Sequence, residues 1–187
     1  MAVDLPAETK EQVTTLQARL KTGCRFIDAH PRWVDPANLH LTLVFLGTLP
    51  DEAIPYLTDV SDAVANGTVP FELQMNRIEL FPPDAKPPKV ISATIGGDRK
   101  ALKLLQTQLA DSLSAAGFDI EQRPYQPHLT LARLTSVKTA SRVQNLVSSH
   151  SAALQVAFAV SEIVLFESIT KSSGPVYEPL HVSRFNG

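Results

Sequence analysis

The tetrapeptide His40-Leu41-Thr42-Leu43 occurs a second time in the chain, as His128-Leu129-Thr130-Leu131. Residues 39–46 and 127–134, which contain these two motifs, are each predicted to form a strand. Side chains alternate along a strand, so each histidine shares a face with its threonine, whereas the leucines and Phe45 point the other way. We expect the leucine faces to pack on helices and the histidine/threonine faces to line a groove.

The two motifs occupy corresponding positions in a repeated order of elements, strand–helix–strand–strand, which indicates an internal duplication. If a pseudo-twofold relates the two halves, both His/Thr pairs meet across one cleft. Many strands are joined by short turns, so antiparallel pairing and an α+β fold are expected. A chain of 187 residues fits a single domain over residues 1–187, built from two similar halves.

Helix signals occur at four places in the sequence. A helix opening at Pro6 should end at Gly23, and a second should run from Pro50 to Asn66-Gly67. Asp98 should cap a third helix, which carries a leucine stripe and should end at Gly117. A fourth helix is predicted over residues 137–149. Residues 25–34 are partly extended, and the remaining strands are predicted at residues 1–5, 69–81, 89–96, 154–167 and 176–185.

Composition limits the classes of function. Hydrophobic residues make up 44% of the chain, which is enough for a sizeable core. The net charge of −2 argues against a protein that grips a long stretch of nucleic acid, so an RNA-binding site here should hold one end and few phosphates. The single cysteine, Cys24, excludes a cysteine-ligated metal and suits a reducing, cytoplasmic location. No membrane span, signal peptide or obligate protein partner is evident.

The residue types of the motifs suit phosphoester chemistry without a cofactor. A neutral histidine can take a proton from water and a protonated one can give a proton to a leaving oxygen, and both forms exist near neutral pH. The Thr42 and Thr130 hydroxyls can donate hydrogen bonds to phosphoryl oxygens as charge builds there. The residues alone do not say which of His40 and His128 is the acid.

Two other interpretations stay open. Two histidines and a carboxylate can hold a catalytic metal, although neither motif contains an acidic residue and threonine is a poor ligand. A non-catalytic protein that binds RNA ends or nucleotides would also use such a groove. His30, His150 and His181 lie outside any repeated context, and we expect them to have structural roles.

The paired motifs resemble the H-x-T-x signature of the 2H phosphoesterases. Within that superfamily the chain resembles the bacterial and archaeal RNA 2′,3′-cyclic phosphodiesterases, historically called 2′-5′ RNA ligases. The resemblance covers nearly the whole chain, and the supporting stretches are Val3-Asp4-Leu5-Pro6, Arg32-Trp33-Val34, Asn38-Leu39, Phe45-Leu46-Gly47, Arg123-Pro124-Tyr125 and Tyr177-Glu178-Pro179-Leu180.

This resemblance implies a bilobal α+β fold, with mostly antiparallel sheets around a central cleft. It implies metal-independent opening of an RNA 2′,3′-cyclic phosphate, or of a small cyclic-phosphate nucleotide, to a 2′-phosphate. His40 would be the proton donor and His128 the proton acceptor, with Thr42 and Thr130 on the phosphate. Related substrates, such as 2′-5′ oligonucleotides, another cyclic nucleotide or ADP-ribose cyclic phosphate, remain alternatives.

The chain departs from many relatives in two places. Its first strand is short, either by nature or because the start is trimmed, which we expect to affect stability and not chemistry. Val44 stands where many relatives carry a basic residue, and alternation places it on the His40 face, where a lost charge would either weaken phosphate binding or shift the choice of substrate.

Several residues near the motifs are secondary candidates for substrate binding. Lys86, Lys89 and Arg123 either meet RNA phosphates or are solvated surface charges. Trp33 and Tyr125 either stack on a base or pack in the protein. Arg133 has the wrong parity to face the site.

Overall fold

Two antiparallel sheets form the frame of the computed structural model, which describes residues 1–121, 123–172 and 174–186. The four-stranded sheet has the order β3-β1-β8-β9, with β1 (Ala2–Asp4), β3 (His40–Thr42), β8 (Glu162–Lys171) and β9 (Gly174–Arg184). The five-stranded sheet has the order β2-β6-β5-β4-β7, with β2 (Arg32–Trp33), β4 (Phe71–Phe81), β5 (Val90–Gly97), β6 (His128–Arg133) and β7 (Val156–Val160). This arrangement confirms the predicted α+β class with antiparallel sheets.

Four α-helices cover the sheets. We call the four-stranded sheet with α2 (Ile54–Asn66) and α3 (Arg99–Ala115) the first lobe; α2 packs on β8, β9 and α3. The second lobe is the five-stranded sheet with α1 (Ala7–Phe26) and α4 (Val137–Ser149), which pack on each other and on β7 and β4. Short 3₁₀ turns lie at Pro36–Asn38, Asp51–Ala53 and Ser151–Ala153.

Each lobe holds one motif strand, but the lobes are not successive halves of the chain. The first lobe takes its strands from both ends of the sequence, because β1 and β3 pair in it with β8 and β9. The second lobe takes α1 and β2 from the first part of the chain and α4 and β7 from the last. The repeated motif therefore marks two equivalent places in an interleaved fold.

The clearest local signals were confirmed. The Asp98 carboxylate accepts a hydrogen bond from the Ala101 amide at 2.9 Å and caps α3. Ser136 caps α4 in the same way, through the Thr139 amide at 3.1 Å. The helix stripe predicted for α3 is buried as expected, at Leu102, Leu105, Leu109 and Leu113.

Gly23 does not end the first helix, contrary to the prediction. The helix α1 continues to Phe26, and Gly23 lies where α4 approaches it. A Cβ on Gly23 would lie 2.5 Å from Cδ1 of Leu146, so the glycine leaves room for Leu146 to pack between the helices. A packing demand, not a chain break, explains this glycine.

The strand predicted over residues 39–46 ends early, at Thr42. The amides of Leu43 and Val44 both donate to the Met1 carbonyl, at 3.0 and 3.2 Å, so the β-ladder stops there. Alternation stops with it, which corrects one prediction: Phe45, expected to pack with the leucines, is 74% exposed. Val44 is 4% exposed and packs in the core, and it also lines the cavity beside the motifs.

The stretch 154–167 is two strands and not one. β7 ends at Val160 and β8 begins at Glu162, and the two belong to different sheets. The Ser161 carbonyl between them accepts a hydrogen bond from the Phe185 amide at 2.8 Å. The chain thus crosses from the second lobe to the first at Ser161, within a run of apolar residues that carries no turn signal.

Candidate active site

The two motif strands meet where the lobes meet. Cα atoms of β3 and β6 approach within 8 Å, although the strands belong to different sheets. The Tyr125 hydroxyl, just before the second motif, donates to the carbonyl of Thr42 at 3.0 Å. Burial raises the pKa of Tyr125, so this donor keeps its proton. One neutral hydrogen bond therefore joins the two motifs directly.

Both motif histidines are oriented by the same backbone contact. Nδ1 of His40 lies 2.9 Å from the Asn38 carbonyl, and Nδ1 of His128 lies 2.9 Å from the Gln126 carbonyl. A carbonyl can only accept, so Nδ1 carries the hydrogen in each ring. Nε2 is then free on both histidines, as a proton acceptor when the ring is neutral and as a donor when it is charged.

Aromatic side chains hold the ring of His40. The Tyr177 ring lies edge-on to it at 4.5 Å between centroids, and the Phe166 ring lies at 5.7 Å. Both come from the β8–β9 hairpin. The Asn38 side chain ties that hairpin to the first motif, because its amide donates to the Pro175 carbonyl at 2.8 Å and its oxygen accepts from the Tyr177 amide at 3.2 Å. Asn38 thus orients the histidine through its backbone and the tyrosine through its side chain.

His128 has a different neighbour. Its ring stacks on Phe81 at 4.0 Å between centroids with an interplanar angle of 23°. Across the sheet, His128 lies opposite Thr94, and Thr130 lies opposite Ser92, whose buried hydroxyl has no hydrogen-bond partner among the described residues. Directly opposite residues share a face, so this side of the sheet carries hydroxyl groups beside the second motif.

The electrostatic setting of His40 favours its neutral form. Burial is the main cause that lowers the pKa of His40, and the hydrogen bond to Asn38 partly opposes it. Three further groups act, and the first of them, the amino group of Met1, lowers the pKa of His40. Asp4 lies directly opposite His40 and raises its pKa, whereas Lys10, 2.7 Å from the Asp4 carboxylate, lowers it.

A cavity of about 400 Å³ opens beside the motifs. Thr42 lines it from the first motif and His128 from the second. Phe45, Phe81 and Gln106 contribute further walls, and the segment before β6 completes it with Glu121, Arg123, Pro124, Tyr125 and Gln126. The volume is within the range of about 300–1,000 Å³ that is usual for small-molecule sites.

The secondary candidates divide into two groups. Arg123 and Tyr125 both line the cavity, with the Arg123 guanidinium paired to the Glu121 carboxylate. Trp33 and Lys89 are not among the residues that line this cavity, and their assignment to the site stays a prediction. The Trp33 ring lies under the Lys21 ammonium, 5.7 Å away, and packs on the core. Lys89 and Lys86 are exposed on the proline-rich loop that joins β4 to β5.

Each of the three remaining histidines has a hydrogen-bonding partner, two of them nearby in the sequence and one of them, that of His181, far away. His30 binds the Asp28 carboxylate at 3.0 Å, His150 lies 3.0 Å from the Leu146 carbonyl, and His181 binds the Asp62 carboxylate at 2.8 Å.

Within residues 1–121, 123–172 and 174–186, no group of three or more histidine, cysteine or acidic side chains is placed to hold a metal ion. In the same part of the chain, no helix is long and apolar enough to cross a membrane.

Sequence reasoning missed the aromatic surroundings of the histidines. Phe81 and Phe166 lie in strands, where aromatic residues are common, so nothing in the sequence separates them from core residues. Tyr177 and Asn38 each lie in a stretch that supported the resemblance, and that was the only available signal. The contact of Tyr177 with His40 exists only because β9 returns to the first lobe from the far end of the chain.

Comparisons with known proteins agree with this geometry. The family model of the 2′-5′ RNA ligase superfamily matches residues 5–171. A protein of Methanothermobacter thermautotrophicus named RNA 2′,3′-cyclic phosphodiesterase is 28% identical, over 98% of this chain and 96% of its own length.

Two solved structures share the fold. A Thermus thermophilus protein aligns with a TM-score of 0.77 at 24% identity, over 100% of this chain and 96% of its own. The E. coli LigT protein in complex with 3′-AMP aligns with a TM-score of 0.75 at 25% identity, with the same two coverages. Both likenesses extend over the entire length of the chain.

Proposed function

Since the chain belongs to the 2′-5′ RNA ligase superfamily, we propose that it hydrolyses the 2′,3′-cyclic phosphate at an RNA 3′ end to a 2′-phosphomonoester. Relatives that match nearly the full chain carry the name of that activity. The reaction is an enzymatic hydrolysis of a phosphoric diester by two histidines, without a cofactor.

The observation that carries the proposal is the shared orientation of the two motif histidines. Each ring has Nδ1 bound to the carbonyl two residues earlier, so each has Nε2 free. Catalysis by paired acid and base needs two such groups on strands that meet, and β3 and β6 approach each other at the junction of the lobes. A structural role would not require the same tautomer at both positions.

In the proposed reaction a water oxygen attacks phosphorus opposite the bond from phosphorus to the 3′ oxygen. Nε2 of His128 takes the proton of that water as the new P–O bond forms. The bond to the 3′ oxygen breaks, and Nε2 of protonated His40 gives its proton to that oxygen. The product carries a 2′-phosphate and a free 3′-hydroxyl, and the two histidines end with exchanged protonation states.

The threonines of the motifs stabilise the charge that builds on the phosphoryl oxygens. Thr42 is exposed at the cavity, and Thr130 is half-buried beside His128. Hydroxyl donors fixed on strands need little reorganisation as charge develops, which is the condition for electrostatic stabilisation of a transition state.

The negative charge of the substrate favours the protonated form of His40, which is disfavoured in the free protein. Burial disfavours the cationic form of His40, but a phosphodiester is an anion, and an opposite charge within about 4–6 Å favours the cation. Substrate binding therefore raises the pKa of His40, so that the ring carries the proton that it then gives to the leaving oxygen. We place this activity in the cytoplasm, in keeping with a single, buried cysteine.

A short RNA ending in a 2′,3′-cyclic phosphate tests the proposal. The protein is incubated with it in excess EDTA, and the product ends are mapped. We expect conversion to a 2′-phosphate by the wild type, and none by the His40→Ala or His128→Ala variants with unchanged circular dichroism. His150→Ala is the matched control, because the His150 ring binds Ser149 and the Leu146 carbonyl at the end of α4, away from the motifs.

Other outcomes separate the alternatives. Turnover that EDTA abolishes and added metal restores would replace the two-histidine mechanism by a metal-dependent one. Turnover of 2′-5′ oligonucleotides or of another cyclic nucleotide alone would change the substrate. RNA-end binding by folded protein without any turnover would point to a non-catalytic binding protein.

A further inference from the structure

The two edges of the four-stranded sheet meet at His40. β3 and β9 are the outer strands of this sheet, with β1 and β8 between them. Neighbouring strands lie about 4.8 Å apart, so the two edges of a flat sheet of this size would be separated by about 14 Å. The ring centroids of His40 on β3 and Tyr177 on β9 are nevertheless 4.5 Å apart. The sheet is therefore curled so far that its edges come together at the first motif.

The side chain of Asn38 ties the two edges at this place. Asn38 lies two residues before His40, in the turn that leads into β3. Its side-chain nitrogen donates to the Pro175 carbonyl at 2.8 Å, and its side-chain oxygen accepts from the Tyr177 amide at 3.2 Å. An edge strand leaves such backbone groups unpaired, and one side-chain amide serves both because it donates and accepts.

Both parts of Asn38 act on the ring of His40. The hydrogen bond between Nδ1 and the Asn38 carbonyl fixes one point of the ring, which can still turn about that point. The Tyr177 ring lies against it at an interplanar angle of 67°, and the Phe166 ring lies 5.7 Å away. These aromatic contacts oppose the turn, so Nε2, the atom that gives the proton, keeps one direction.

The ring of His128 is held in a different way. It stacks on Phe81 of β4, and the strands of both residues pair with β5 between them. This contact lies within three adjacent strands that are joined by backbone hydrogen bonds. It needs no side chain to bring two edges of a sheet together, so the tie through Asn38 serves His40 alone.

We propose that Asn38 is the positioning residue for the general acid, because its side-chain amide holds the curled sheet closed and keeps Tyr177 against the ring of His40. This inference rests on the proposed function, in which His40 protonates the leaving 3′ oxygen. A misplacement of about 1 Å can lower the rate of a catalysed step by about 10²-fold, so the two hydrogen bonds of this side chain can decide how fast the proton is given.

Two leaving groups test this role. Asn38→Ala should lower kcat on an RNA 2′,3′-cyclic phosphate by roughly 10- to 100-fold, with KM changing little, because the threonines of the motifs stay in place. On a diester whose leaving group is p-nitrophenolate, which departs without a proton, the same variant should keep most of its activity. Tyr177→Ala should show the same dependence on the leaving group. Equal losses on the two substrates would indicate a merely structural role and overturn the proposal.

A double-mutant cycle shows whether Asn38 acts through His40. In the His40→Ala background, Asn38→Ala should cause no further loss of kcat on the cyclic phosphate, because no acid remains to be positioned. If the losses of the two single variants instead multiplied in the double variant, Asn38 would act independently of His40 and the proposal would be wrong.

Asn186→Ala is the matched control. Asn186 follows β9, at the opposite end of that strand from Tyr177, and its side-chain amide donates to the Asn66 side chain at the end of α2. This variant also removes an asparagine tie between β9 and another element of the first lobe. It should lower the melting temperature and leave kcat on both substrates unchanged.

A second variant applies if Asn38→Ala does not fold. Asn38→Asp keeps the acceptor for the Tyr177 amide and loses the donor to the Pro175 carbonyl. We expect a smaller loss of kcat on the cyclic phosphate than a full loss of the tie would cause, again with most of the activity kept on the p-nitrophenyl diester. Equal losses on both substrates overturn the proposal here too.

Failure of the proposed function has a different signature, namely no turnover of any diester by the folded wild type. Nitrogen-15 NMR of the neutral His40 ring then decides the role of Asn38. The wild type should show the tautomer with hydrogen on Nδ1, and Asn38→Ala should populate both tautomers. An unchanged tautomer in this variant overturns the proposal.

Discussion

The same four residues, His-Leu-Thr-Leu, lie in two different surroundings. The first motif begins a three-residue strand at the edge of the four-stranded sheet, and Tyr177 and Phe166 surround its histidine. The second begins a six-residue strand inside the five-stranded sheet, and its histidine stacks on the single ring of Phe81.

What the two motifs share is the contact that sets the tautomer, and what separates them is burial and charge. Both Nδ1 atoms bind a carbonyl two residues earlier in the chain. Only His40 is placed opposite a charged pair, Asp4 with Lys10. Identical local sequence thus supplies two rings with the same orienting contact, and the fold places them in different surroundings, which suits the different tasks proposed for them. The predictions below test how different those tasks are.

The largest expected effect separates acid from base. His40→Ala and His128→Ala should each lower kcat on a cyclic phosphate by about 10²- to 10⁴-fold, the usual contribution of a general acid or base. A diester with a p-nitrophenolate leaving group needs no proton on departure. On that substrate His40→Ala should recover most of its activity, whereas His128→Ala should not, as measured by initial rates.

Two results would break this assignment. Recovery by His128→Ala and not by His40→Ala would exchange the roles of the two histidines. Equal losses on both substrates in both variants would mean that neither histidine acts on the leaving group.

A smaller effect compares the two threonines. Thr42→Val and Thr130→Val keep the side-chain shape and remove one hydroxyl donor each. We expect kcat to fall by up to about 10²- to 10³-fold in each variant, the usual loss of one transition-state donor, with KM changing little. Thr135→Val is a control, since Thr135 follows β6 outside the motif. A rise in KM at constant kcat would show that the hydroxyls bind the ground state instead.

The smallest effect concerns the pH profile. A proton donor is lost as pH rises through its pKa, and burial lowers the pKa of His40 in the free protein. The basic limb of kcat/KM, which reports the free enzyme, should therefore lie below the ordinary histidine value of about 6.5. The basic limb of kcat should lie at higher pH, because the bound anion stabilises the charged ring. If the basic limbs of kcat/KM and of kcat coincided, the proposal that substrate binding favours protonated His40 would be contradicted.

The sequence was most informative where the signals are local. A capping side chain and a leucine stripe correctly predicted α3, and an amphipathic pattern correctly predicted α4, because a cap and an apolar face act within a few residues. The repeated His-x-Thr pattern correctly predicted two strands that meet. It also predicted acid–base chemistry from residue type alone.

The predictions that were wrong depend on distant partners. Phe45 was expected in the core, but β3 stops at Thr42 because the next two amides share the Met1 carbonyl. Gly23 was expected to end α1, but it serves the packing of Leu146 from α4. In each case a contact between residues far apart in sequence overrode a sound local pattern.

The sequence by itself identified the two histidines and the two threonines as candidates for the site. It also determined the α+β class and most elements, because propensity, capping and side-chain alternation are properties of neighbouring residues. Only the tertiary structure decided that the lobes interleave, that Asn38 brings Tyr177 to His40, and that Phe45 is left free at the cavity. Burial and ring contacts are set by whichever segments the fold brings together, and no local pattern encodes that choice.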